Sequence, residues 1–388
     1  MFSKNIEFKG FQKIKKKSKL NLIWNKLKKD YLNNLEPVLL SLKENYKYSY
    51  NFKQIEKFKK FDNFRIFGMG GSILGAEAIH SFLKKRIKKK FEFINNFNFE
   101  KDEKVKKSKL NIVISKSGNT LETIVNFNLD KLKKNTIFIT ENKKNYLTQI
   151  AHKMKSEIIE HRNFIGGRYS VLSETGMLPA SLMGLNTRKF KQFDNLIRKK
   201  DFIEKLISNV DSILFFHKKK KFNSIIINYD QNSNDLFSWY QQLVAESLGK
   251  KGKGILPIVS NMPRDNHSTM QLYLDGNKNN FFTIFFNEDN EIKNIKENDI
   301  LTSHSFLKNK SLNEIMFAQF EATQNIFKKK NIPFRSFIVK KREEKTLGEL
   351  FTFFILETIL LGRALKLNPY NQPAVELIKK ETIKILKK

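Results

Sequence analysis

Cysteine is absent from the 388 residues. That excludes disulfides, thiolate metal sites and cysteine nucleophiles. Long hydrophobic runs are also missing. The longest mostly apolar stretch, Leu350–Leu361, is interrupted by Thr352, Glu357 and Thr358. It is too short to cross a bilayer and reads as a core helix. The Met1–Lys17 segment carries basic residues with no apolar run behind them, so no secretory signal is expected. Acidic residues are scarce, 39 Asp and Glu against 73 Lys and Arg. What is plentiful is core material: hydrophobic residues make up 40% of the chain and aromatics 12%, including 36 Phe. That rules out wholesale disorder, and at roughly 150 residues per domain the length suggests two or three domains. A cytoplasmic globular protein is the expectation.

A net charge of +34 invites a nucleic-acid reading. The basic runs argue against it. Lys13–Lys17, Lys84–Lys90, Lys104–Lys109, Lys218–Lys221 and Lys328–Lys330 lie far apart and are not interleaved with aromatics as a strand-tracking groove would be. Lys, Asn, Ile and Phe are inflated together, as an A+T-rich genome would produce. Solvated surface is the expectation, with no nucleic-acid or membrane partner and a general attraction for anionic substrates.

Residues 1–60 read as a helical arm, with Leu20, Leu22, Ile23, Leu27, Tyr31 and Leu35 at helical spacing. The pattern then changes. Phe64–Phe67 is a short apolar strand running into Gly68-Met69-Gly70-Gly71-Ser72 and a helix to about Lys85. Asn111–Ile114 is a second strand, followed by Ser115-Lys116-Ser117-Gly118-Asn119-Thr120 and a helix over Leu121–Lys133. Thr136–Thr140 and Glu157–Glu160 are further strands. Strand, polar turn, helix, strand predicts a parallel sheet with crossover helices. The order recurs with strands at Ser224–Asn228, Leu256–Ser260, Phe281–Phe286 and Phe334–Val339, and helices at Ser233–Leu248 and Leu312–Lys330. No repeat is visible in the residues themselves. The end reads as helix Leu347–Leu365, a break at Asn368–Pro373, and helix Ala374–Lys387. The expected organisation is an arm over 1–60, α/β units over 61–190 and 191–345, and a helical tail over 346–388.

Two turns have phosphate chemistry. Gly68–Ser72 lets backbone approach a ligand closely, but it is not a complete dinucleotide fingerprint. Ser115–Thr120 offers hydroxyls, amide N–H groups and a helix N-terminus converging on one point, which suits a phosphate monoester. An ordinary N-capped turn, with Ser and Thr as caps, is the alternative. There is no Walker lysine motif, so triphosphate binding is not expected.

FGMGGSILGAEA (67–78) and SKSGNTLET (115–123) resemble the sugar isomerase domain family. With GGRYSVLSETGMLPASL (166–182), QQLVAESLGKKGKGILP (241–257), DNHSTMQLYLDG (265–276) and NPYNQPAVELIKK (368–380), the ordered set resembles the tandem sugar isomerase domain family of phosphoglucose isomerases. The resemblance implies an α/β fold of two α/β/α three-layer units with mainly parallel sheets. It implies aldose–ketose isomerisation of glucose 6-phosphate and fructose 6-phosphate through a cis-enediol, with no metal or organic cofactor. Glu246 matches the base that moves a proton between C2 and C1, and a carboxylate is the right chemical type for it. Arg168 matches the arginine that stabilises the enediolate. His267 and Lys379 match the ring-opening pair. Gln242 and Gln372 match substrate-contacting glutamines. Ser72, Ser115, Ser117 and Thr120 match the phosphate and sugar contacts, with backbone donors from Gly71 and Lys116. Glu122 follows the phosphate turn without an assigned role. In the family the histidine crosses a dimer interface, so a homodimer with shared active sites is implied. The chain departs from the family pattern at Asn119, Leu248, Asn371 and Ile378. Alternatives are an isomerase that also accepts mannose 6-phosphate, and a sugar-phosphate-binding protein without catalysis. The second has no need of Glu246, His267 and Lys379 together.

Overall fold

Short runs of Ile, Phe and Val become strands buried on both faces, as parallel sheets covered by helices require. The computed structural model describes residues 3–11, 19–97, 109–130, 133–290, 293–296 and 300–388. The basic segments 13–17 and 104–108, and residues 131–132 at the end of one expected helix, lie outside the described residues. In chain order the strands are β1 (Ile6–Lys9), β2 (Asn63–Phe67), β3 (Lys90–Ile94), β4 (Lys109–Ile114), β5 (Thr136–Thr140), β6 (Glu157–Glu160), β7 (Asn223–Asn228), β8 (Leu256–Asn261), β9 (Asn280–Asn287) and β10 (Phe334–Val339). All five residues of β5 and all eight of β9 are buried.

The strands form two sheets, β3-β2-β4-β5-β6 and β1-β10-β9-β7-β8. The first is parallel throughout. The second is parallel except for β1, which runs antiparallel to β10 with Ile6 opposite Val339. The sheets share one plan. In each, the second strand of the unit lies to one side of the first and the third strand to the other, so strand order reverses at β2/β4 and again at β7/β9. Such reversals open a crevice beyond the carboxyl ends of the strands, where α/β proteins bind ligands.

Several elements were not expected from the sequence, including the helices Tyr146–Lys153 and Glu174–Leu182. Ile6–Lys9 is a strand rather than part of a helical arm; it buries Ile6 and Phe8 on one face and closes an edge of the second sheet. The strand Lys90–Ile94 is an edge strand whose polar residues face outward, so it lacks the apolar run that marked its neighbours. The helix Lys200–Lys218 was masked by its lysine-rich ends. In the N-terminal helix Leu20–Leu32 the buried stripe is Leu20, Trp24, Leu27 and Tyr31, while Leu22 is exposed, as is Leu35 beyond it.

The helix Glu344–Ala364 is buried from Thr346 to Gly362 and packs against Leu20–Leu32, Lys200–Lys218 and Asn234–Leu248. Its Glu357 meets Arg335 in a buried pair. Hydrogen bonds from Arg335 to Thr283 Oγ1 (2.9 Å) and Asn209 Oδ1 (3.0 Å) occupy two further donors, support that a buried ion pair needs if it is not to be a liability.

The helices that follow β2 and β7, Leu74–Phe82 and Asn234–Leu248, pack against each other and join the two units. Glu77 is buried in this joint. Its carboxyl is pushed up to about 7 by burial and by Asp235 across the joint, against a 2.6 Å hydrogen bond from Asn95 Nδ2. A carboxyl raised above its unfolded value gives stability that is fully present below about 4.5 and is lost as pH rises through about 7. Glu77→Gln does not titrate. Urea midpoints at about pH 5 and about pH 8 are therefore expected to show wild type losing ground to Glu77→Gln at the higher pH. An equal offset at both would mean that Glu77 does not titrate in this interval.

Candidate active site

The two joint helices run antiparallel. The turn before the first lies against the last turns of the second, where Gln242 and Glu246 sit one helical turn apart. The Gly68–Ser72 turn makes that approach possible. Gly70 has φ +53°, and a Cβ there would lie 2.7 Å from Gln242 Nε2. A Cβ on Gly71 would lie 2.1 Å from the carbonyl carbon of Gly167. Backbone therefore meets backbone at Gly71–Gly167, and the next residue is Arg168. Ser72, half-buried, closes the turn with its N–H on the Met69 carbonyl.

Arg168 is buried on the short helical turn Gly167–Leu172. Its Nε donates to Ser247 Oγ (2.8 Å). Nη1 donates to Glu246 Oε2 (3.1 Å) and Gln372 Oε1 (2.7 Å). Nη2 donates to the carbonyls of Pro369 (2.6 Å) and Asn371 (3.2 Å). Gln242 Nε2 donates to the other oxygen of Glu246 (2.9 Å). Glu246 is half-buried, so its carboxylate has one face on the cluster and one toward solvent. Such an arrangement holds a carboxylate where it can take up and return a proton, next to a fixed positive charge that meets a developing oxyanion.

A second layer holds the cluster. Tyr169 and Ser247 share a 2.8 Å hydrogen bond, and Trp239 Nε1 donates to the Arg168 carbonyl (3.2 Å). Lys250 Nζ donates to the carbonyls of Ser247 (3.1 Å) and Asn368 (2.5 Å). Its ammonium is pushed down to about 8, first by burial and then by Arg168, with Glu246 opposing. Ser247, Tyr169, Trp239 and Lys250 were not singled out in the sequence. All four lie inside the quoted motifs or within a few residues of them, and motif membership was the available signal. The departure at Asn371 is explained here: the residue contributes its carbonyl, so the side chain is free to vary.

The Ser115–Thr120 turn leaves β4 beside this cluster's strand, β2. Gly118 has φ +68°, with Asn145 filling the space a Cβ would need. Ser115 Oγ and Thr120 Oγ1 stand 2.8 Å apart. Thr120 occupies the N-cap of the helix Leu121–Leu129, yet its side chain makes no capping hydrogen bond. Ser117 Oγ, exposed, accepts from the Asn119 N–H (3.2 Å). Lys116 donates its ammonium to the Asn163 carbonyl (2.7 Å). Glu122 lies in the first helical turn behind.

Two expected residues are not brought in. His267 ends the turn Arg264–His267 after β8, is exposed, and among the described residues makes no hydrogen bond to the cluster. Lys379 lies on the helix Val375–Leu386, which buries none of its residues, and pairs with Glu376 one turn away (2.7 Å).

Residues 49–388 match the phosphoglucose isomerase family model. The chain belongs to that family. Relatives of phosphoglucose isomerase type include the glucose-6-phosphate isomerase of Methanocaldococcus jannaschii, 30% identical over 88% of this chain and 88% of that protein. The glucose-6-phosphate isomerase of Mycoplasmopsis pulmonis is 33% identical over 83% of this chain and 82% of its own. Among solved structures, a hypothetical protein from Thermus thermophilus has the same fold, with TM-score 0.82 and 22% identity over 95% of this chain and 94% of that one.

For a family member built this way, Gly71→Ala has a definite consequence. The new methyl cannot share space with Gly167, so the Arg168 turn must move. The expected outcome is isomerase turnover down by about 10²-fold with an unchanged circular dichroism spectrum. Turnover within about twofold of wild type would mean that the Gly71–Gly167 contact does not set the position of Arg168.

Proposed function

We propose that the protein interconverts glucose 6-phosphate and fructose 6-phosphate through a cis-enediol intermediate. The observation that carries this reading is the hydrogen-bonded set Glu246–Arg168–Gln242–Gln372, placed at the strand-order reversal beside the Ser115–Thr120 turn. The Ser115 and Thr120 hydroxyls are not spent on capping the helix, which favours a phosphate ligand over a plain helix cap. The relatives named above are glucose-6-phosphate isomerases.

In this reading the phosphate sits on Ser115, Ser117 and Thr120, with backbone N–H groups of Gly71 and Lys116 and the hydroxyl of Ser72 toward the sugar. Glu246 removes the proton from C2 of the open aldose and returns it to C1, while the hydroxyl proton passes from O2 to O1 at the enediol stage. Electron density moves onto the substrate oxygen, and Arg168 meets that charge. Gln242 holds Glu246 in place, and Gln372 shares Arg168 with it. His267 and Lys379 open the ring. The exposed position of His267 suits donation to the site of a second chain, so the active unit is a homodimer with shared sites. With the reaction goes a cytoplasmic place in glycolysis and gluconeogenesis, since phosphorylated sugars are charged and stay where they are made.

Fructose 6-phosphate turnover, coupled to a glucose-6-phosphate-specific dehydrogenase, is expected for wild type and reduced by about 10²–10⁴ in Glu246→Gln. Equal turnover in the two would keep the reaction and reject the base. Mixed dimers test the sharing. Glu246→Gln and His267→Ala are each expected to be nearly inactive, and mixing them should restore turnover, because one site of each mixed dimer receives both native residues. No recovery after subunit exchange would place the histidine in its own chain's site.

A further inference from the structure

The segment after the N-terminal turns carries tyrosine at every second position, Tyr46, Tyr48 and Tyr50, and the three rings lie in sequence against one another. Tyr46 meets Tyr48 edge-on (5.3 Å, 86°), and Tyr48 stacks on Tyr50 (5.0 Å, 13°). Phe52 continues the ladder, edge-on to Tyr50 at 6.4 Å and half exposed. These rings wall a cavity of about 850 Å³, and none of its lining residues belongs to the Arg168 cluster. A cavity of this size accommodates a small organic ligand.

The wall is built and polar at specific points. Lys191 is 4% exposed, and its ammonium lies over the faces of Tyr46 and Tyr48 at 5.0 and 5.1 Å. It donates to the carbonyls of Ser41 and Leu172. Burial pushes it down to about 7, with Glu174 opposing. Glu174 in turn accepts from the Tyr46 hydroxyl (3.0 and 3.1 Å) and the Ser49 N–H (2.9 Å). The hydroxyls of Tyr48 and Tyr50 are buried and have no hydrogen-bond partner among the described residues, an unfavourable state for buried polar groups.

The charge balance of the lining is cationic: Lys43, Lys47, Arg188, Lys191 and Arg198 against Glu44 and Asp194. Asp194 is engaged, accepting from the Tyr31 hydroxyl (2.6 Å) and the Glu44 N–H (3.2 Å). Arg188 and Arg198 are exposed and make no ion pair among the described residues. Guanidinium groups in this state match a phosphate in two-point hydrogen bonds, and aromatic faces match a planar base. A sugar phosphate alone would leave the rings unused, and a neutral aromatic would leave both arginines unused.

We infer that this cavity is a second ligand site, separate from the Arg168 cluster, that takes a nucleoside phosphate with its base against the half-exposed Phe52 ring at the end of the tyrosine ladder and its phosphate on Arg188 and Arg198. The inference does not rest on the isomerase reading. The test is calorimetric titration of the full chain with AMP at about 150 mM salt, where unspecific attraction is screened, with and without excess fructose 6-phosphate. Expected are one AMP per chain, an affinity unchanged by fructose 6-phosphate, and binding of ribose 5-phosphate at least about tenfold weaker. Arg188→Ala/Arg198→Ala should weaken AMP by about tenfold or more while leaving sugar-phosphate turnover unchanged. Phe52→Ala removes the exposed ring against which the base lies, and should weaken AMP by a smaller factor. The inference is overturned if AMP shows no saturable binding, if fructose 6-phosphate displaces it, if ribose 5-phosphate binds equally well, or if the double arginine variant binds AMP as wild type does.

Discussion

A buried guanidinium has five N–H donors, each of which must find an acceptor or become a standing cost. Arg168 finds all five: one hydroxyl, one carboxylate oxygen, one amide oxygen and two backbone carbonyls. These acceptors come from two remote parts of the chain, the end of the helix Asn234–Leu248 and the turn at Pro369–Gln372. Satisfying one side chain therefore fixes where three segments meet. The Gly71–Gly167 approach, the Tyr169–Ser247 bond and the Lys250 brace are all arranged around that demand. Glu246 is oriented as part of the same network, with Arg168 on one oxygen and Gln242 on the other.

The two sheets reach this point by the same route. Each reverses strand order between its first and third strands, and each sends its first crossover helix to the other unit. Because those helices are antiparallel, the start of one meets the end of the other. The glycine turn of the first unit is thereby set against the glutamate-bearing end of the second. One joint supplies both the contact between units and the floor of the site, and it leaves the Ser115–Thr120 turn alongside, at the neighbouring strand.

Lysine plays a part that its abundance concealed. Read as composition, 73 basic residues look like solvated surface. Several instead pin loops by donating to backbone carbonyls: Lys116 on Asn163, Lys191 on Ser41 and Leu172, Lys250 on Asn368, Lys253 on Leu365. A flexible stem ending in three donors can reach a carbonyl that no backbone N–H can. The last two brace the segment that leads to Gln372.

Strand positions, the parallel class and the two polar turns were legible in the residues, because strands buried on both faces must be apolar and turns that approach ligands must be small. The motifs likewise pointed to Glu246, Arg168 and Gln242 as neighbours. The strand Ile6–Lys9 escaped notice because four residues carry too little periodicity to announce a partner more than 300 residues away. Lys90–Ile94 escaped because an edge strand need not be apolar. Only the tertiary structure showed that both sheets share one strand order, since no sequence repeat survives to reveal it. Only the tertiary structure, too, separated Glu246 and Arg168, locked in one network, from His267 and Lys379, which stand exposed. Local chemistry names the groups that a reaction needs. Which of them a single folded chain can bring together depends on long-range packing, and that is not written in any one segment.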